Sequence, residues 1–180
     1  QDRPGVLGGR TYLNLALKGN PGALELLYTD QGNITQRGPE AQFMRENRSW
    51  FLSKQLYPRY RGFVFSQYNR MHKDGRSKHG HKIPPGQSYD YKAGAHALRL
   101  LWQAEAALSE STLTVSMVNY PNYRLLIGVR HGEVALGTLL NHIESGLKRL
   151  DDAHASSRLP DYPSSEAVGK WLVGVRRQNP

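Results

Sequence analysis

The sequence contains no cysteine, and this absence excludes several kinds of chemistry. Without thiols the chain has no disulfide framework, no zinc site with cysteine ligands and no thiol nucleophile. No apolar run approaches the roughly 18 residues that a membrane-spanning helix needs. The N-terminus also lacks the charged-then-apolar layout of a signal peptide. We therefore expect a soluble, cytoplasmic protein without a membrane partner.

Common nucleotide-binding and nucleophile motifs are absent as well. The chain has no P-loop, no Rossmann fingerprint and no nucleophile triad, and the glycine-rich stretch at residues 5–9 does not have phosphate-loop spacing. The histidines between His72 and Lys82 have no carboxylate or cysteine at ligand spacing, so we expect no metal site there. Function has to be inferred from charge and from helix patterning.

Positive charge is what the sequence has in excess. Its 180 residues include 24 Lys and Arg against 15 Asp and Glu, which gives a formal net charge of +9. Such an excess favours a polyanionic partner through long-range attraction and counterion release. The alternative is a basic surface that only aids solubility. A hydrophobic content of 38% is enough to bury a core.

Helical periodicity dominates the chain and predicts a mainly α bundle with few or no strands. Residues 112–118 are β-branched and alternating, which fits either a short strand or an extended connector. The predicted helices cover two segments within 10–28 around a break at 19–22, then 39–47, 54–71, 89–109, 123–131, 134–155 and a last helix from 164.

A basic segment with little apolar content divides the chain. We predict an N-terminal helical segment at 1–72, a mobile basic loop at 73–88 and a C-terminal helical domain at 89–180. The loop supplies four candidate nucleic-acid contacts, which are Lys73, Arg76, Lys78 and Lys82.

The predicted helix at 89–109 carries the sharpest signal. Lys92, His96, Arg99 and Gln103 fall within a stripe about 60° wide on a helix that is otherwise mostly apolar. A buried helix with a cationic stripe must face a wet cleft or an anion. In one interpretation, Lys92 and Arg99 extend to solvent and His96 is a satisfied interhelical histidine. In the other, the two cations bind phosphate oxygens, and His96 adds a hydrogen bond or a titratable charge.

Two other places are candidates for the same ligand. Asn20 precedes Pro21 and either begins a helix or uses its amide to hold a ligand or a catalytic loop. Arg59, Ser66 and Arg70 share one face of the helix at 54–71, which is either a solvated basic face or the second wall of the same cleft.

Three segments occur in a familiar order: Leu13–Leu27, Tyr60–Met71 and Lys92–Leu101. Together they resemble the predicted nucleotidyltransferases of the DNA polymerase β superfamily, in particular the bacterial and phage family associated with RNA repair. Leu125–Glu133 and Ser157–Pro160 are similar to that family's C-terminal helices. The resemblance covers most of the chain, from about residue 10 to residue 172.

The resemblance implies transfer of a nucleoside monophosphate from an NTP to RNA or another hydroxyl acceptor. It also implies a divalent cofactor, Mg²⁺ or Mn²⁺, held by an Asp-x-Asp pair that follows a Gly-Ser turn. The stripe would then reach the triphosphate from the helical side. The candidate nucleotide-binding residues are Lys92, His96, Arg99, Asn20, Ser66 and Arg70.

The chain departs from that family at the catalytic carboxylates. It has no Gly-Ser turn and no Asp-x-Asp pair, and little sequence precedes Leu13, where the catalytic strands should stand. We therefore expect the catalytic palm to be missing or reduced, with the metal ligands outside this chain and the catalytic residues unidentified. The alternative is a non-catalytic basic module that binds RNA, DNA or a protein partner, with Tyr57, Tyr60 and Tyr68 available for base stacking.

Overall fold

The computed structural model describes residues 9–30, 32, 39–71 and 83–178. Over these ranges the chain forms α-helices, a short 3-10 helix at Arg48–Phe51 and no β-strand, which confirms the mainly α prediction. Residues 112–118 are the extended connector and not a strand, because the described chain offers no second strand for pairing. The α-helices are α1 (Gly9–Leu17), α2 (Pro21–Tyr28), α3 (Pro39–Glu46), α4 (Leu56–Met71), α5 (Tyr91–Glu110), α6 (Tyr123–His131), α7 (Leu136–Ser156) and α8 (Ser165–Gln178).

The break between α1 and α2 forms where the sequence predicts it. Gly19 has a φ of +69°, and an added Cβ would lie only 3.0 Å from the Leu56 Cα, so the turn and the close approach both require glycine. Asn20 then caps α2, because its Oδ1 accepts a hydrogen bond from the Ala23 N–H at 3.2 Å. Pro21 occupies the first turn.

Helix α5 is the centre of the bundle and packs against α4, α6 and α7. Asp90 caps its N-terminus, because the Asp90 Oδ1 accepts a hydrogen bond from the Ala93 N–H at 2.9 Å. It ends at Ser111, which adopts a left-handed conformation and donates its N–H to the Ala107 carbonyl. Most of its side chains are buried, as the nearly continuous apolar composition predicts.

Two glycines let the central helices approach closely. A Cβ on Gly94 would lie 2.7 Å from Leu139 Cδ2 of α7 and 3.1 Å from Met71 Sδ of α4. A Cβ on Gly146 of α7 would lie 2.9 Å from Leu101 Cδ1 of α5. Both positions are therefore packing contacts, and a larger side chain would push the helices apart.

The outer helices attach through aromatic contacts. The Phe43 ring of α3 stacks on Trp171 of α8 with a centroid distance of 4.9 Å, and meets Trp50 edge-on at 5.7 Å. One hydrophobic core includes residues from both sides of the 72–82 segment, such as Leu24 and Leu98.

The predicted nucleic-acid contacts Lys73, Arg76, Lys78 and Lys82 lie outside the described residues. None of the described helices combines the length and apolar content needed to cross a membrane.

Candidate functional site

A cleft of about 540 Å³ opens between α4, α5 and α6. This volume lies in the range of small-molecule sites. Among the described residues, the side chains that line it include no carboxylate. The lining residues are Gln67, Arg70, Lys92, Ala93, Ala95, His96, Arg99, Leu126, Ile127 and Arg130.

Helical spacing explains why these side chains converge. The α5 stripe presents Lys92, His96 and Arg99 at i, i+4 and i+7, which are neighbours on one face. Arg70 comes from the last turn of α4 and Arg130 from the last turn of α6. Three helices thus direct four Arg and Lys side chains and one histidine to a single cleft.

Arg99 is the most constrained of these cations. Its Nη2 lies 3.0 Å from Glu25 Oε1 of α2 and 3.4 Å from His96 Nδ1. The Glu25 contact is an ion pair without hydrogen-bond geometry, since the buried Oε1 accepts no hydrogen bond from the described residues. A guanidinium carries five N–H donors, so Arg99 keeps donors for a ligand while Glu25 holds it in place.

Arg70 is held by a second carboxylate from outside the lining. Its Nη2 lies 3.7 Å from Asp90 Oδ2. Asp90 also caps α5, and its side chain is only 4% exposed. The residue that fixes the start of α5 therefore also holds Arg70 at the cleft.

His96 is electrostatically poised to be neutral. Partial burial lowers its pKa from the ordinary value of 6.5, and the positive charges of Arg99, Arg70 and Lys92 lower it further. The Glu25 carboxylate opposes this shift without cancelling it. The shift favours the uncharged imidazole at neutral pH, so the cleft owes its positive charge mainly to its Arg and Lys side chains.

The structure brings together only part of the predicted set. Lys92, His96, Arg99 and Arg70 all line the cleft. Asn20 and Ser66 are absent from the lining: Asn20 caps α2, and Ser66 is exposed on α4.

The fourth member of the stripe turns into the protein. Gln103 is fully buried, and its Nε2 donates to the Thr114 carbonyl at 3.1 Å. This bond attaches the extended connector to α5. The end of the stripe is therefore structural and does not contribute to the cleft.

Sequence reasoning missed three contributors, Arg130, Gln67 and Glu25. Arg130 follows Leu126 and Ile127 by one helical turn, so the sequence shows their shared face. It does not show that this face packs beside α5. The expectation that Tyr60 is available for base stacking is wrong, because this residue of α4 is fully buried in the core.

The described residues do not fit the divalent metal that the resemblance implies. They contain no group of three or more His, Asp or Glu side chains close enough to hold an ion. The cleft lining, moreover, is cationic. No reaction step through a metal can be derived from this geometry.

Comparison with known protein families assigns the chain to one of them. The model of the RNA repair pathway DNA polymerase beta family (RlaP) matches residues 10–156. The chain belongs to this family. All residues that line the cleft fall within the matched region. Membership confirms the resemblance and supports a nucleotidyltransferase-like function in general. No curated protein and no solved structure matches the chain.

Proposed function

We propose that this chain is the nucleotide-binding helical part of a nucleotidyltransferase, which transfers a nucleotidyl group from an NTP to a hydroxyl of RNA or another acceptor. One observation carries the proposal. Arg70, Lys92, Arg99 and Arg130 converge from three helices on one cleft that has no carboxylate among its described lining residues. Arg99 and Arg70 each face one carboxylate from outside the lining, yet the lining itself carries only positive charge, a setting that suits a polyphosphate.

Different residues of the lining suit different parts of a nucleotide. The guanidinium groups of Arg70, Arg99 and Arg130 suit phosphate oxygens because they form paired, planar hydrogen bonds. Lys92 adds a compact charge at the exposed edge of the cleft. Leu126 and Ile127 form an apolar wall on the α6 side, which accepts the uncharged part of a nucleotide.

In the proposed reaction the cleft residues act on the leaving group. The acceptor hydroxyl loses its proton to solvent as its oxygen forms a bond to the α-phosphorus. The bond between that phosphorus and the oxygen that bridges to the β-phosphate breaks, and its electron pair leaves with the pyrophosphate. Negative charge accumulates on the departing pyrophosphate. Lys92 and Arg99 neutralise this charge at the β- and γ-phosphates, and His96 assists with a hydrogen bond. No residue of this chain is assigned as a catalytic acid, base or nucleophile.

Calorimetric titration of the whole chain with each NTP tests the proposal. We expect the unmodified chain to bind NTP, and Lys92→Ala or Arg99→Ala to weaken binding at least tenfold, or about 1.4 kcal/mol. Arg149→Ala is the matched control, because Arg149 pairs with Glu105 away from the cleft. Unchanged NTP affinity in both cleft variants would overturn the proposal.

A second candidate function is a non-catalytic module that binds RNA. It is favoured by the absence of a metal-capable cluster among the described residues. RNA binding measured against salt concentration separates the two candidates, because phosphate contacts release counterions. Strong, salt-dependent RNA affinity without any NTP binding would favour the module.

A further inference from the structure

We propose that His96 is a fixed hydrogen-bond donor in the cleft, neutral and with its proton on Nε2, and that Arg99 sets this tautomer. The inference rests on the proposed function, since it concerns how the cleft recognises a phosphate oxygen. It assigns His96 a directional role and assigns the charge of the site to the Arg and Lys side chains.

The contact between Arg99 and His96 determines where the imidazole proton lies. Arg99 Nη2 lies 3.4 Å from His96 Nδ1. A guanidinium stays protonated and can only donate, so Nδ1 must offer its lone pair. In the neutral ring the proton then lies on Nε2. An imidazolium would instead direct an N–H at the guanidinium, with repulsion between two cations.

Of the charged groups that shift the pKa of His96, only Glu25 on α2 favours the charged ring. The surrounding charged groups are Glu25 on α2, Arg70 on α4 with its partner Asp90, Lys92 and Arg99 on α5, and Arg130 on α6. Glu25 is already 3.0 Å from Arg99, so its charge is shared with that cation. The remaining groups near the ring are mainly positive, which agrees with the lowered pKa of His96.

A neutral Nε2–H donor gives the cleft selectivity that charge alone cannot provide. Positive charge attracts any small anion, whatever its shape. A single N–H on a ring that is half-buried and braced by Arg99 favours an acceptor oxygen at one position. We therefore expect His96 to align a phosphate group within the cleft.

Nitrogen NMR of the whole chain tests the tautomer directly. With ¹⁵N-histidine labelling at neutral pH, the His96 signals are assigned by their loss in His96→Gln. We expect a protonated Nε2 and an unprotonated Nδ1 in the free chain, and the same pattern with saturating tripolyphosphate. An imidazolium, or a proton on Nδ1, in either state would overturn the assignment.

Two substitutions test the donor by position. Glutamine can place its amide nitrogen near the site of Nε2, whereas asparagine places its amide near the site of Nδ1. We expect His96→Gln to retain most of the tripolyphosphate affinity and His96→Asn to lose about tenfold (about 1.4 kcal/mol). Equal losses in the two variants would contradict the proposal.

The outcomes distinguish this inference from the proposed function. If the unmodified chain binds neither NTP nor tripolyphosphate, the proposed function fails, while the tautomer in the free chain still tests the His96 assignment. Thermal unfolding of both variants checks that they fold. If His96→Asn does not fold, the NMR measurement on the unmodified chain decides alone.

Discussion

The Arg99 guanidinium lies 3.0 Å from the Glu25 carboxylate and joins the central helix to α2 beside the cleft. Glu25 does not line the cleft, and its side chain is 19% exposed. An anion that enters the cleft must therefore compete with a built-in carboxylate for this cation. The two roles of Glu25, holding Arg99 and opposing anions, have opposite effects on affinity, and the sign of the change on substitution shows which effect is larger.

Replacing Glu25 with glutamine is expected to tighten tripolyphosphate binding several-fold. The substitution keeps the shape of the side chain and removes a negative charge close to Arg99, so the attraction of the cleft for anions rises. Calorimetric titration at low salt measures the change, and added salt should reduce it.

Glu105→Gln is the matched control for this prediction. Glu105 also forms a 3.0 Å ion pair, with Arg149 of α7, and its side chain has a similar exposure of 24%. The loss of that distant pair should leave tripolyphosphate affinity unchanged. If Glu25→Gln instead weakens binding, holding Arg99 in place outweighs the electrostatic cost of the carboxylate.

Arg130→Gln should lower tripolyphosphate affinity about tenfold, which is a loss of about 1.4 kcal/mol in binding free energy. Arg130 is the cation that α6 contributes to the cleft, opposite the α5 stripe. Arg124→Gln removes the same charge from an exposed position on the same helix outside the cleft. Similar losses in the two variants would mean that net charge matters and that the cleft does not.

The helices of this chain could be predicted closely, because their signals are local. The prediction for α6 matches the observed range, Tyr123–His131, and the break at Gly19 has its cause in the turn residues themselves. The stripe on α5 was visible because helical spacing fixes which side chains share a face.

What the sequence could not show is which faces meet. Arg130 reaches the cleft because α6 packs against α5, and Glu25 reaches Arg99 from α2, which packs against α4. No local sequence pattern records that packing. Gln103 belongs to the stripe by spacing, yet its side chain points inward and donates a hydrogen bond to the Thr114 carbonyl of the connector. Tyr60 shows the same limit, since an aromatic residue on a basic helix fits either a core or a stacking surface until its neighbours are known.

Gly94→Ala is expected to lower the free energy of unfolding by about 1–3 kcal/mol, which is the usual cost of overpacking a core. The added methyl group would lie 2.7 Å from Leu139 Cδ2 and 3.1 Å from Met71 Sδ, so these two fully buried side chains would have to shift within the core. Urea unfolding followed by circular dichroism measures the change.

We expect Gly62→Ala to have the opposite effect on the free energy of unfolding. Gly62 lies in α4, is exposed, and has nothing within 4 Å of an added Cβ. Alanine there should stabilise the chain by about 0.5–1 kcal/mol, because glycine is the poorer helix former. The two changes in the free energy of unfolding need not be equal in size. If Gly94→Ala instead stabilised the chain, α4, α5 and α7 would be less closely packed than observed.

The stability of the chain should depend on His96 below neutral pH. Burial and the neighbouring cations lower the pKa of His96 in the folded state, whereas the unfolded chain has the ordinary value of about 6.5. The unfolded state therefore binds more protons, and stability falls as the pH drops through 6.5 towards the folded pKa.

Urea unfolding between about pH 7.5 and pH 5.5 should show a larger loss in the unmodified chain than in His96→Gln, since only the former contains this group. Other groups titrate in both proteins and cancel in the comparison. Parallel loss of stability in the two proteins would mean that His96 is as easily protonated in the folded chain as in the unfolded one, and the neutral donor in the cleft would lose its electrostatic basis.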